Sequence, residues 1–102
     1  MAENHTSIES FQVYHYTQDA QSEITSKIVC FREGTLVGEI QFYRDGGAIP
    51  KSLAAGGKFL VRYSEVQFDG IIATFRNSMS INITFDSEKK ELSISSGQQS
   101  IR

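Results

Sequence analysis

The most restrictive feature of this chain is a two-residue hydrophobic alternation toward its C-terminal end. In "MSINITF", Met79, Ile81, Ile83 and Phe85 fall on one side and Ser80, Asn82 and Thr84 on the other. Only an extended strand sends successive side chains to opposite faces, so this segment needs a sheet with one dry and one wet side. "SEKK" then supplies a polar loop, and "ELSIS" returns with Leu92 and Ile94. Pairing Phe85 with Leu92 sets Ile83 against Ile94 and brings the apolar faces together.

Four earlier runs also read as strands, being rich in β-branched and aromatic residues. They are "FQVYHY" (11–16), "ITSKIVCFR" (24–32), "TLVGEIQFY" (35–43) and "KFLVRY" (58–63). Glu33-Gly34, between the second and third, suits a two-residue hairpin turn. With that turn, Arg32 lies opposite Thr35, Phe31 opposite Leu36 and Val29 opposite Gly38, on a core face shared with Ile40 and Phe42. The other face then carries Ile28, Cys30 and Val37 among Arg32, Glu39 and Gln41. That is more apolar than a solvated sheet face, so Ile28, Cys30 and Val37 form the candidate interface with another protein.

Residues 64–77 carry conflicting signals. Asp69-Gly70 between apolar residues suits a hairpin turn. Against it, Phe68, Ile71, Ile72 and Phe75 sit at i, i+3, i+4 and i+7, one face of a helix. Ser64 with Gln67 makes a capping box, and Tyr63 with Phe68 can form a hydrophobic staple. Gly70 falls on the outer side of that helix, where it costs roughly 1 kcal/mol relative to alanine. Helix is the favoured reading.

The expected fold class is therefore α+β: an antiparallel sheet of about six strands, open or strongly curled, with one helix, in the order β-β-β-β-α-β-β. The alternative, with a hairpin at 69–70, is an all-β barrel or sandwich. The chain reads as one domain over residues 1–102, with 1–9 and 97–102 as flexible tails.

Composition narrows the function classes. Ten basic and 12 acidic side chains leave a net charge of −2, so no long-range positive field draws in a phosphate backbone. The single cysteine excludes an internal disulfide and suits a reducing compartment. "MAENHTSIES" has neither the basic nor the apolar region of a signal peptide, and no window approaches the roughly 20 apolar residues of a membrane span. Asn4 and Asn82 head sequons that an unexported chain leaves unmodified. The expected location is the cytoplasm.

The glycine-rich segment before Lys58 invites comparison with a phosphate-binding loop, G-x-x-x-x-G-K-[ST]. Here Ser52 stands where the first glycine belongs, Phe59 follows the lysine, and Lys58 opens a strand instead of a helix. A nucleotide cradle is excluded, and a strand connection is the plainer reading. Its long span still makes Arg44, Lys51 and Lys58 candidate contacts for an anion or ligand.

No catalytic or metal set emerges, and no cofactor is implied. His5 and His15 lack ligand spacing with each other or with Cys30, and a thiol between Val29 and Phe31 is a core or interface residue. Asp19, Glu23 and Asp45 show no pairing that dictates acid–base geometry. Tyr14 and Tyr16 share a face of the first strand, and Lys58 and Arg62 point outward if Phe59, Val61 and Tyr63 point in. Aromatics and cations on one sheet face suit weak binding of single-stranded nucleic acid. The leading expectation is a non-enzymatic interaction or structural module that pairs with itself or another protein. A small apolar ligand inside a barrel and the single-strand binder are the alternatives.

Overall fold

The computed structural model describes residues 3–17, 23–55, 57–77, 81–86 and 91–96. Eight strands and one helix follow in the order β1 (Glu3–Ile8), β2 (Ser10–His15), β3 (Ile24–Arg32), β4 (Thr35–Tyr43), β5 (Leu53–Ala55), β6 (Lys58–Ser64), α1 (Phe68–Asn77), β7 (Ile81–Asp86) and β8 (Glu91–Ser96). They form a three-stranded sheet, β1-β7-β8, and a five-stranded sheet, β2-β3-β4-β6-β5. The class is α+β, but with two sheets, and the larger one is mixed because β4 and β6 run parallel. Parallel neighbours need a long crossover. Residues 44–57 supply it, with β5 returning antiparallel to β6 on the way.

Two strands were not expected. Residues 1–9 read as a tail because their alternation has almost no apolar member, yet β1 pairs with β7 from Glu3↔Asp86 to Ile8↔Ile81, and Ile8 is buried. The chain then bends at Glu9, whose N–H donates to the Phe31 carbonyl at 2.9 Å, and continues as β2 in the other sheet. Residues 97–102, expected as the second tail, and Met79 lie outside the described residues.

The helix is present where its apolar spacing placed it. Ser64, extended at φ −68° and ψ 149°, accepts the Val66 N–H at 3.4 Å, and one 3-10 turn (Glu65–Gln67) leads into α1. Ile72 and Phe75 are buried, while Phe68 and Ile71 are half-buried against the same core. Gly70 faces open space. Asp69-Gly70 therefore makes no hairpin turn, and the all-β alternative is overturned. Phe68 meets Phe42 edge-on at 5.0 Å and Phe75 meets Phe11 at 4.9 Å, so the helix packs its apolar side on the sheet.

The β7–β8 hairpin keeps its expected register, Phe85↔Leu92 and Ile83↔Ile94, with Ile81 and Ile83 buried. The β3–β4 hairpin does not. Its turn is the expected one, with Glu33 and Gly34 both at positive φ (54° and 78°) and Arg32↔Thr35 and Phe31↔Leu36 in place. One step further, a β-bulge inserts Val37, so Cys30, not Val29, pairs with Gly38. A one-residue insertion exchanges the faces beyond it. Ile28 and Cys30 are consequently fully buried beside Ile40 and Phe42, while Val29 turns outward and is half-exposed.

The physical reason for the bulge lies in β3: without it Lys27 would stand opposite Ile40 in the core, and with it Ile28 does. Gly38 marks a close approach of β4 to β6. It sits beside Phe59 of β6, and an added Cβ would stand 2.6 Å from Phe59 Cγ and nearer still to the Phe59 carbonyl oxygen. Only glycine admits that approach. Phe59 in turn is buried in the core shared by both sheets and α1.

Candidate functional site

The bulge relocates the candidate interface. Ile28 and Cys30 are inside the core and cannot meet a partner. Burial pushes the Cys30 thiol from 9.0 up to about 12, with the Glu39 carboxylate adding to the effect. This is a protonated, shielded thiol with no nucleophilic character. Val37, as the extra residue of the bulge, is half-buried against the core. None of the three builds the expected apolar face.

That face is instead made by their neighbours. The register places Gln12, Val29, Glu39, Leu60 and Leu53 in one row across the five strands, on the side away from α1. Phe31 and Leu36 stand beside it. Val29, Phe31 and Leu60 are half-exposed, while Leu36 and Leu53 are exposed by 36% and 45%, so the apolar part of this face is open to contact.

The next row is polar: Tyr14, Lys27, Gln41 and Arg62. Lys27 Nζ lies 5.3 Å from the Tyr14 ring centre, a cation–π contact. Partial burial opposes the Lys27 charge, but a hydrogen bond with Tyr16 and the Glu39 carboxylate outweigh it and raise its pKa above 10.5. Gln41 accepts from Tyr43 Oη at 3.2 Å and from Arg62 Nε at 3.4 Å, and donates to Glu39 Oε1 at 2.9 Å. Arg62 Nη1 also donates to the Lys51 carbonyl. The tyrosines and the arginine thus share one outer surface, but Lys27 and Arg62 are already held within it.

A separate polar cleft of about 430 Å³ opens where β2, β3 and β4 end, lined by Tyr16, Thr17, Thr25, Arg44 and Glu65. Its wall is fixed by Arg44 N–H donating to the Glu23 carbonyl at 2.8 Å and Asp45 N–H donating to Glu65 Oε2 at 2.9 Å. Ser64 Oγ donates to Asp45 Oδ1 at 3.1 Å, tying the crossover to the helix start. Thr25 Oγ1 donates to the Phe42 carbonyl at 3.3 Å. A guanidinium, a carboxylate and three hydroxyls offer both donors and acceptors to a polar molecule.

Of the candidate anion contacts, Arg44 lines this cleft and Lys51 and Lys58 do not. Thr17, Thr25 and Glu65 were missed, because nothing in their local sequence signals that three strand ends meet a helix start. His15 stacks edge-on to Phe68 at 5.2 Å, and the His5 and Asp19 side chains lie outside the described residues. Among the described residues, no group of three or more His, Cys, Asp or Glu could hold a metal ion, and no helix is long and apolar enough to cross a membrane. Family models, curated proteins and solved structures contain no match to this chain.

Proposed function

We propose that this chain is a non-enzymatic protein-interaction module that associates with a second copy of itself. The observation that carries the reading is the uncovered side of the five-stranded sheet. The helix packs on one side, leaving Leu36 and Leu53 exposed on the other, with Val29, Phe31 and Leu60 only half-covered. Mixed apolar and hydrogen-bonded rows of this kind resemble the composition of non-obligate protein interfaces. The single, buried Cys30 suits a reducing compartment such as the cytoplasm.

The test is the mass in solution, by sedimentation equilibrium over a wide concentration range. The reading expects a reversible rise from 11.4 kDa toward twice that value. A mass that stays at 11.4 kDa throughout contradicts it.

A second reading, weak binding of single-stranded nucleic acid, draws on the row Tyr14, Lys27, Gln41 and Arg62. It requires affinity for mixed oligonucleotides that falls steeply with salt. The internal engagement of Lys27 and Arg62 and the net charge of −2 place it second.

A further inference from the structure

The outer strand β2 has a hydrogen-bonded partner, β3, on one side only among the described residues. Exposed sheet edges are usually blunted by charge, proline or shortness. β5, the other edge of this sheet, is three residues long and bracketed by Lys51 and Lys58. Both edges of the smaller sheet open on a charge: β1 on Glu3, and β8 on Glu91 directly after Lys89-Lys90. β2 has no such device: from Ser10 to Gln18 there is no Asp, Glu, Lys, Arg or Pro.

The ladder also reveals which backbone groups face outward. Tyr16 N–H donates to the Thr25 carbonyl at 3.0 Å, continuing the register that pairs Ser10 with Phe31 and His15 with Ser26. Hydrogen-bonded pairs alternate along an antiparallel ladder. Ser10, Gln12, Tyr14 and Tyr16 therefore direct their N–H and C=O groups at β3. Those of Phe11, Val13 and His15 point out of the sheet edge.

Resting on the self-association reading above, we propose that β2 pairs antiparallel with β2 of a second copy about a two-fold axis at Val13. This register sets Val13 opposite Val13 of the second copy, and Phe11 opposite His15. All three residues are the ones whose backbone groups point outward, so each facing pair exchanges two hydrogen bonds. Facing residues share a face: Phe11, Val13 and His15 meet on the helix side, and Gln12 meets Tyr14 on the other. No like charges oppose one another. A shift by one residue would pair opposite faces and bring the wrong backbone groups together.

The helices leave room for this. Phe68, the first residue of α1, touches His15 of β2 and Phe42 of β4, so the start of the helix lies over β3. At its other end Phe75 meets Phe11 of β2, and the two-fold axis sets that end opposite the Phe68 end of the second copy, about two strand spacings away, roughly 10 Å. Packed helices need only about 8–10 Å. The product is one continuous ten-stranded sheet, on which the two outer apolar faces lie side by side and are not covered by this contact.

The test is amide hydrogen exchange of the full chain at several concentrations, alongside sedimentation. In the single chain the Phe11, Val13 and His15 amides are open to water. When nine-tenths of the chain is paired, all three slow by about tenfold together. A doubled mass with these three amides exchanging like open chain overturns β2 pairing while leaving self-association standing. A mass of 11.4 kDa at every concentration overturns both. Val13→Pro removes the central outward N–H at a position where an edge strand tolerates proline. It is expected to stay folded and lose the dimer, and a folded dimeric variant contradicts the proposal. If that variant does not fold, the exchange data on the unaltered chain decide.

Discussion

The two hairpins β3–β4 and β7–β8 carry similar patterns and follow different rules. In β7–β8, alternation alone sets the faces, and Ile81 and Ile83 are buried as their period requires. In β3–β4, the turn-proximal part of β3 is apolar on both faces, with Ile28 and Cys30 on one and Val29 and Phe31 on the other, so the alternation near the turn is satisfied in two registers. The choice is made farther along β3: without the bulge at Val37, Lys27 would stand opposite Ile40 in the core, and with it Ile28 does. A hairpin with one apolar face specifies its register from the turn outward, whereas one whose strand is apolar on both faces near the turn has it decided at the far end.

This comparison can be broken by substitutions on adjacent residues. Ile28→Ala removes a fully buried side chain and should cost about 3 kcal/mol in denaturant unfolding. Val29→Ala, on the outer face, should cost well under 1 kcal/mol by the same measurement, about 0.5 kcal/mol. An unbulged register demands the reverse order. Gly38→Ala forces a Cβ against Phe59 and should cost about 2 kcal/mol, together with cross-peaks that report a shifted β4–β6 contact.

A further effect is carried by pH. The Cys30 thiol has its folded pKa raised to about 12 from 9.0. Below pH 9 both states hold the proton and stability is unaffected. Above it the unfolded chain loses its proton first, so stability falls as pH rises from 9 toward 12, by on the order of 1 kcal/mol per pH unit. Cys30→Ala should lose that component of the alkaline decline, seen as a shallower Tm profile above pH 9. An identical profile would place the thiol in water.

Much of the fold was legible because it rests on local patterns. Phe68, Ile71, Ile72 and Phe75 outweighed Asp69-Gly70, since four anchored side chains exceed the cost of one exposed helix glycine. The Glu33-Gly34 turn was legible for the same reason. What was not legible depends on distant partners. β1 carries a single inward apolar residue, Ile8, and becomes a strand only because β7 offers it an edge. The parallel β4–β6 pairing depends on how residues 44–57 cross. Gly38 inside an otherwise strand-like run was the one local sign of a bulge, and it corrects the site: Val29 takes the outward place first assigned to Cys30. The cleft residues Thr17, Thr25 and Glu65 converge only through the tertiary fold.

The central claim is that the bulge turns Val29 to the outer surface and Cys30 into the core. Thiol labelling measures this directly, comparing native Cys30 with Val29→Cys in a Cys30→Ala background. The account predicts that Val29→Cys labels at the rate of an accessible thiol, while Cys30 reacts only as fast as the chain unfolds. Rapid native labelling of Cys30 with protection of Val29→Cys would contradict it, and would return Cys30 to the surface.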